Sequence, residues 1–108
     1  MEEDDIIRAL AALAHPLRLR VFRALVVVGQ DGLTPGVMAQ ALATSATALS
    51  FHLKELAHAG LVTQVRDGRN LVYRAAYDRM DGLIAFLTRN CCEGVECAIG
   101  APKAACAC

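Results

Sequence analysis

A chain of 108 residues with 56% hydrophobic and 20% charged residues is long enough for one modest core and too apolar to stay disordered. Its longest strongly apolar run, Ala24 to Val28, is far too short to span a bilayer, and the acidic start Met-Glu-Glu-Asp-Asp is the reverse of a basic export signal. Composition therefore argues against a membrane protein and for a cytoplasmic one, whose five cysteines stay reduced and are ligands or redox groups rather than staples. The balance of 11 bases and 11 acids is uneven along the chain: residues 6–76 hold eight bases against three acids, a net +5 between acidic ends. Phosphate binding needs such a local patch, not a high overall charge.

Ile6, Ile7, Leu10 and Leu13 recur at helical spacing and predict a first helix, ended by His15-Pro16 because the residue before proline avoids the helical region. Pro16 suits the first position of a second helix, whose buried face reads Leu17, Val21, Leu25 and Val28 with Phe22 beside it. Arg18, Arg20 and Arg23 project elsewhere, and a solvated face accounts for at least two of them. Gly29 to Gly32 reads as a turn. Thr34-Pro35 then reads as the cap and first residue of a short third helix containing Val37, Met38, Ala41 and Leu42.

The next stretch, Ser45 to Gly60, predicts a fourth helix. Ser45 can cap its start and Gly60 can end it in a left-handed conformation, while Leu49, Leu53 and Leu56 form one apolar stripe. Its other face reads Ala46, Thr47, Ser50, Phe51 and Lys54. Small and polar side chains with one cation suit a helix laid against another surface, although an ordinary amphipathic helix fits the segment taken alone. The tight connection Ala43-Thr44 favours the first reading, because two helices so joined, the second with a polar outer face, form a helix-turn-helix.

Leu61–Arg66 and Asn70–Ala75 are rich in β-formers and flank Asp67-Gly68, a strong signal for a two-residue hairpin turn. Arg66 and Arg69 place cations at its tip, so that after a helix-turn-helix the hairpin reads as a wing able to reach phosphate or the minor groove. Asp78 is expected to cap a last helix through about Asn90, with Met80, Leu83, Ile84 and Leu87 on one side. The first and last helices each carry an apolar stripe that the small body does not need, which implies a homodimer formed through those two helices. The predicted architecture is mainly α with a two-stranded hairpin: a winged helix-turn-helix in the order α-α-α-α-β-β-α.

These segments together resemble a known family. Leu13-Ala-His-Pro-Leu-Arg-Leu-Arg-Val-Phe22, Met38 to Leu42, Ser50-Phe-His-Leu53, Leu56-Ala-His-Ala-Gly-Leu-Val62 and the Arg-Asp-Gly-Arg tip look like the ArsR/SmtB family of metal- and metalloid-sensing repressors over roughly residues 5–90. The resemblance implies a dimer that binds an inverted-repeat operator without ligand and leaves it on binding one. It also implies that Ser45, Ala46, Thr47, Ser50 and Phe51 face the DNA groove, with Lys54 near phosphate. His52 reads as a hydrogen-bonded structural histidine, with direct DNA contact the lesser alternative.

The chain departs from the pattern of that family's arsenic sensors, which carry cysteines in or just before the helix pair. Here all five lie near the end: Cys91, Cys92, Cys97, Cys106 and Cys108. Nor does the last helix carry a histidine to build the zinc site of other members. Residues 1–90 thus read as the DNA-binding and dimerisation domain, and 91–108 as a cysteine-rich ligand-binding tail. Three thiolates from Cys91, Cys92 and Cys97, with Gly94 allowing the chain to fold back, suit a three-coordinate centre such as As(III) or Sb(III). Zinc would recruit Cys106 or Cys108 as a fourth ligand, so a zinc-, cadmium- or lead-responsive repressor and a constitutive DNA-binding protein with structural zinc stay open, as does a redox switch. A thiol-dependent reductase would need a low-pKa nucleophile beside a resolving partner and a substrate pocket; the sequence shows neither a phosphate loop nor a catalytic triad, and most of its length goes to the winged helix, so no enzyme is expected.

Overall fold

The computed structural model describes residues 1–89. It contains α1 (Glu3–Leu13), α2 (Pro16–Val28), a short 3-10 turn (Gly29–Asp31), α3 (Pro35–Ala41), α4 (Ala46–His58), β1 (Val62–Asp67), β2 (Asn70–Ala75) and α5 (Tyr77–Thr88). The order is the predicted one, a winged helix-turn-helix. None of the described helices is long and apolar enough to cross a membrane.

Local chemistry sets most boundaries. Glu3, Asp4 and Asp5 fill the first turn of α1, where carboxylates meet the positive end of the helix dipole. The Nδ1 of His15 accepts the Leu17 N–H at 3.2 Å ahead of Pro16, and Thr34 Oγ1 accepts the Val37 N–H at 3.4 Å ahead of Pro35. A threonine cap such as Thr34 is worth about 1 kcal/mol. Between α3 and α4 the chain reverses through Ala43, which holds a left-handed φ of 52° while its neighbour Thr44 donates back to the Ala39 carbonyl at 3.0 Å.

The core gathers Ile6, Val21, Leu25, Met38, Leu49, Leu53, Leu56 and Leu61, all essentially inaccessible. On α1 the expected stripe divides. Ile6 is buried with Ala9 and Ala12, whereas Ile7 and Leu10 stay 57% and 42% exposed. The two alanines let α1 approach the body closely, and the larger residues one position round are left on the outside. On α5 Leu83 is buried and Leu87 is 58% exposed. The two helices lie together, with Asp5 and Arg79 4.0 Å apart.

Two details of the sequence reading change. Strand β1 takes in Asp67, which pairs with Asn70, so the hairpin turn is Gly68-Arg69 rather than Asp67-Gly68. Glycine at the first central position, here with φ +64°, fits a two-residue hairpin turn and puts Arg69 at the very tip. Asp78 is not the cap of α5. The cap position is Ala76, whose N–H donates to the Leu61 carbonyl at 2.8 Å, and Asp78 falls within the first turn, where it still complements the dipole. Among the described residues the helix runs to Thr88, close to the expected end.

The hairpin also gains a partner outside the two strands. Leu33 forms an antiparallel bridge to Tyr73, with N–H to carbonyl distances of 2.9 and 2.8 Å in the two directions. Gly32 makes the approach feasible: its φ is +70°, and a Cβ there would stand 2.5 Å from the Tyr73 carbonyl oxygen. Arg74 adds a side-chain bond to the Gln30 carbonyl.

Candidate nucleic-acid interface

Helix α4 is oriented by its apolar stripe. Leu49, Leu53 and Leu56 are 0 to 1% exposed, and burying three leucines fixes the rotation of the whole helix. Ser45 caps it, its Oγ accepting the Ala48 N–H at 3.1 Å. As a consequence Ser45, Ala46, Thr47, Ser50, Phe51 and Lys54 are all exposed together on the outer side. Phe51 is the unusual member, a large aromatic ring left 55% in solvent. Short side chains and hydroxyls let a backbone come close to base edges, and an apolar group can meet a thymine methyl.

His52 is the buried polar residue of this helix. Its Nδ1 accepts the Arg18 Nε–H at 3.1 Å, its ring centre lies 4.5 Å from that of His15, and Phe51 meets it edge-on at 5.5 Å. Burial holds the imidazole below the usual histidine range, with His15 and Arg18 adding to the effect and Glu55 opposing it. The neutral ring is the form that can accept at Nδ1, so hydrogen bonding and electrostatics agree. The structural reading of His52 therefore holds.

Arg18 completes this cluster and was not singled out by sequence reasoning. Its guanidinium carbon lies 5.6 Å from the Phe51 ring centre, so one side chain of α2 touches both the inner histidine and the outer aromatic of α4. The available signal was weak: Arg18 follows His15 by three positions, one helical turn, but its partner on α4 is 34 residues away. Arg20 and Arg23 are exposed, as a solvated face predicts.

Arg66 and Arg69 are exposed at the tip of the hairpin. Arg74, by contrast, is turned to the body through Gln30. Between α4 and the hairpin runs a polar groove lined by Ser50, Lys54, His58, Gln64 and Tyr73. Burial pushes the Tyr73 hydroxyl above the usual tyrosine value, so it remains a neutral hydrogen-bond donor at physiological pH. Leu53 and Ala57 form the apolar part of the groove, while the hydroxyls, the Lys54 ammonium and the Gln64 amide supply donors suited to an anionic backbone.

The five cysteines, Cys91, Cys92, Cys97, Cys106 and Cys108, lie outside the described residues. Among the described residues no group of three or more His, Cys, Asp or Glu side chains is placed to hold a metal ion.

Comparison with known proteins gives a consistent picture. Residues 13–65 match a helix-turn-helix domain family. An ArsR-like transcriptional regulator from Rhodococcus sp. RHA1 superposes with a TM-score of 0.71 at 28% identity, over 80% of this chain and 78% of that one. A possible transcriptional regulator for arsenical resistance is 34% identical, with a TM-score of 0.63 over 73% of this chain and 79% of that one. The homodimeric winged helix-turn-helix DNA-binding domain of a possible ArsR-family regulator from Mycobacterium bovis is 27% identical, with a TM-score of 0.64 over 89% of each chain. With its predicted helix order, its capped outer-facing α4 and these relatives, the chain belongs to the ArsR family of winged helix-turn-helix transcriptional regulators.

Proposed function

We propose that this chain is a metalloid-responsive transcriptional repressor. Two copies pair through α1 and α5, read an operator with α4, and leave it when a thiophilic ligand binds. The observation that carries the reading is the outer face of α4, where Ser45, Ala46, Thr47, Ser50, Phe51 and Lys54 are exposed together, with Arg66 and Arg69 exposed at the tip of the hairpin that follows. Pairing is supported by the exposed Ile7, Leu10 and Leu87 on two helices that lie side by side. A two-fold pair also sets the reading helices of its two protomers one DNA turn apart, about 34–36 Å.

The inducer assignment rests on the chemistry of the donor set. Residues 1–90 read DNA and pair, and residues 91–108 bind the ligand. Cys91, Cys92 and Cys97 supply three thiolates to As(III) or Sb(III), and Cys106 or Cys108 would complete a four-coordinate site for zinc, cadmium or lead. The relative described as a possible transcriptional regulator for arsenical resistance supports the metalloid. Release requires that the ligand bind the DNA-free dimer better than the bound one, and DNA then weakens ligand binding by the same factor.

The test is a gel-shift titration on DNA upstream of the coding region with arsenite, antimonite, cadmium and zinc. Arsenite or antimonite should release the protein at the lowest concentrations, and a Cys91→Ser/Cys92→Ser protein should stay bound. Release of that double variant by arsenite, or release only by a divalent metal, overturns the inducer assignment. Stoichiometric zinc that survives dialysis, with no release by any ion, marks a constitutive DNA-binding protein instead.

A further inference from the structure

We infer that Arg18, carried by α2 rather than by the helix-turn-helix, binds a DNA backbone phosphate at the edge of the reading helix. The inference rests on the DNA-facing reading of α4. Its observations are three. The side chain is held at two points, Nε by His52 Nδ1 at 3.1 Å and the guanidinium over the Phe51 ring at 5.6 Å. Phe51 is on the exposed face of α4, so the guanidinium is carried to the border of that face. Among the described residues Arg18 has no carboxylate within ion-pair distance; the pair recorded there is Asp5 with Arg79.

A guanidinium has five N–H donors in a planar fork, and His52 takes one. The four terminal N–H groups make no hydrogen bond to protein among the described residues, which leaves a full bidentate edge for a phosphate. Because Nε and the ring stack already fix the rotamer, little further side-chain entropy is lost on binding. Phosphate rather than a base edge is the partner, because Arg18 flanks α4 while Thr47, Ser50 and Phe51 occupy its front. Arg18 thus positions Phe51 and binds the backbone with one side chain.

The experiment measures binding of the full chain to a random-sequence duplex about three helical turns long, by fluorescence anisotropy over a range of salt concentrations. Wild type is compared with Arg18→Lys, Arg18→Gln and Arg18→Ala, each checked for a cooperative thermal transition. Loss of one phosphate contact per protomer should make the slope of log K against log salt shallower by about 0.9 for each Arg18 in contact in the Gln and Ala variants, while Lys keeps the wild-type slope. If Ala fails to fold, Gln, whose amide can still donate to His52, carries the comparison. A Gln or Ala variant that binds more weakly with an unchanged slope would show Arg18 to be only a clamp between α2 and α4, and overturn the inference. A wild-type chain with no salt-dependent binding would remove the DNA-facing reading of α4 itself.

Discussion

The Nε of Arg18 donates to the Nδ1 of His52 across 3.1 Å, joining α2 to the inner side of α4 through a neutral imidazole. A protonated His52 cannot accept that bond, and burial, His15 and Arg18 all disfavour its charge. Its folded-state pKa lies below the ordinary 6.5, so the unfolded chain binds the proton more readily. The stabilisation is complete above the ordinary value and is lost as pH falls below it toward the folded-state pKa. Urea midpoints measured from pH 8 down to pH 5 should therefore fall more steeply for wild type than for His52→Gln. Parallel curves for the two proteins would count against this linkage.

Ala43 turns the chain between α3 and α4 with a φ of +52°, a region that costs an alanine roughly 1–2 kcal/mol relative to glycine. Glycine also loses more entropy on folding, which offsets part of the gain. Ala43→Gly should raise the unfolding free energy by about 0.5–1 kcal/mol, read from the denaturant midpoint at unchanged slope. DNA binding should be unaffected, because Ala43 lies in the connection and not on the outer face of α4.

Gly32→Ala should act in the opposite direction. A methyl at this position would meet the Tyr73 carbonyl at 2.5 Å, and the φ of +70° is strained for alanine regardless of space. Loss of at least about 2 kcal/mol is expected from strain and the broken bridge together. Faster amide exchange at Leu33 and Tyr73 than at Leu49 would locate the damage in the hairpin attachment rather than in the core.

Ile7→Glu and Leu87→Glu test the pairing surface. Both side chains are more than half exposed in the single chain, so the substitutions should leave its melting transition in the dilute limit nearly unchanged. Sedimentation should show a shift from dimer toward monomer, with operator affinity falling at least about tenfold as the second reading helix is lost. A dimer that survives both substitutions would place the interface elsewhere.

How far the fold can be read from the sequence depends on how local its causes are. Ser45, the three leucines of α4 and the Thr34-Pro35 start of α3 were legible because caps and helical period act within a few residues. The Gly68-Arg69 turn and the Ala76 start of α5 were missed by a position or two, since strand pairing and the Leu61 carbonyl decide them and neither is local. On α1 periodicity marked the large residues, whereas the body selected Ala9 and Ala12 for close approach. The outer face of α4 was legible in full, but the Arg18–His52 bond joins residues 34 apart and has no sequence pattern of its own.

The Leu33–Tyr73 bridge has a mechanical result. The hairpin is moored at one side to the α2–α3 connection and at its far end through Ala76 to the Leu61 carbonyl, while Leu61 itself is seated in the core behind α4. The base of the hairpin and α4 are thus anchored to the same core. In the proposed repressor, release would then be a swing of the whole protomer about the surface formed by α1 and α5, with the hairpin and α4 carried together.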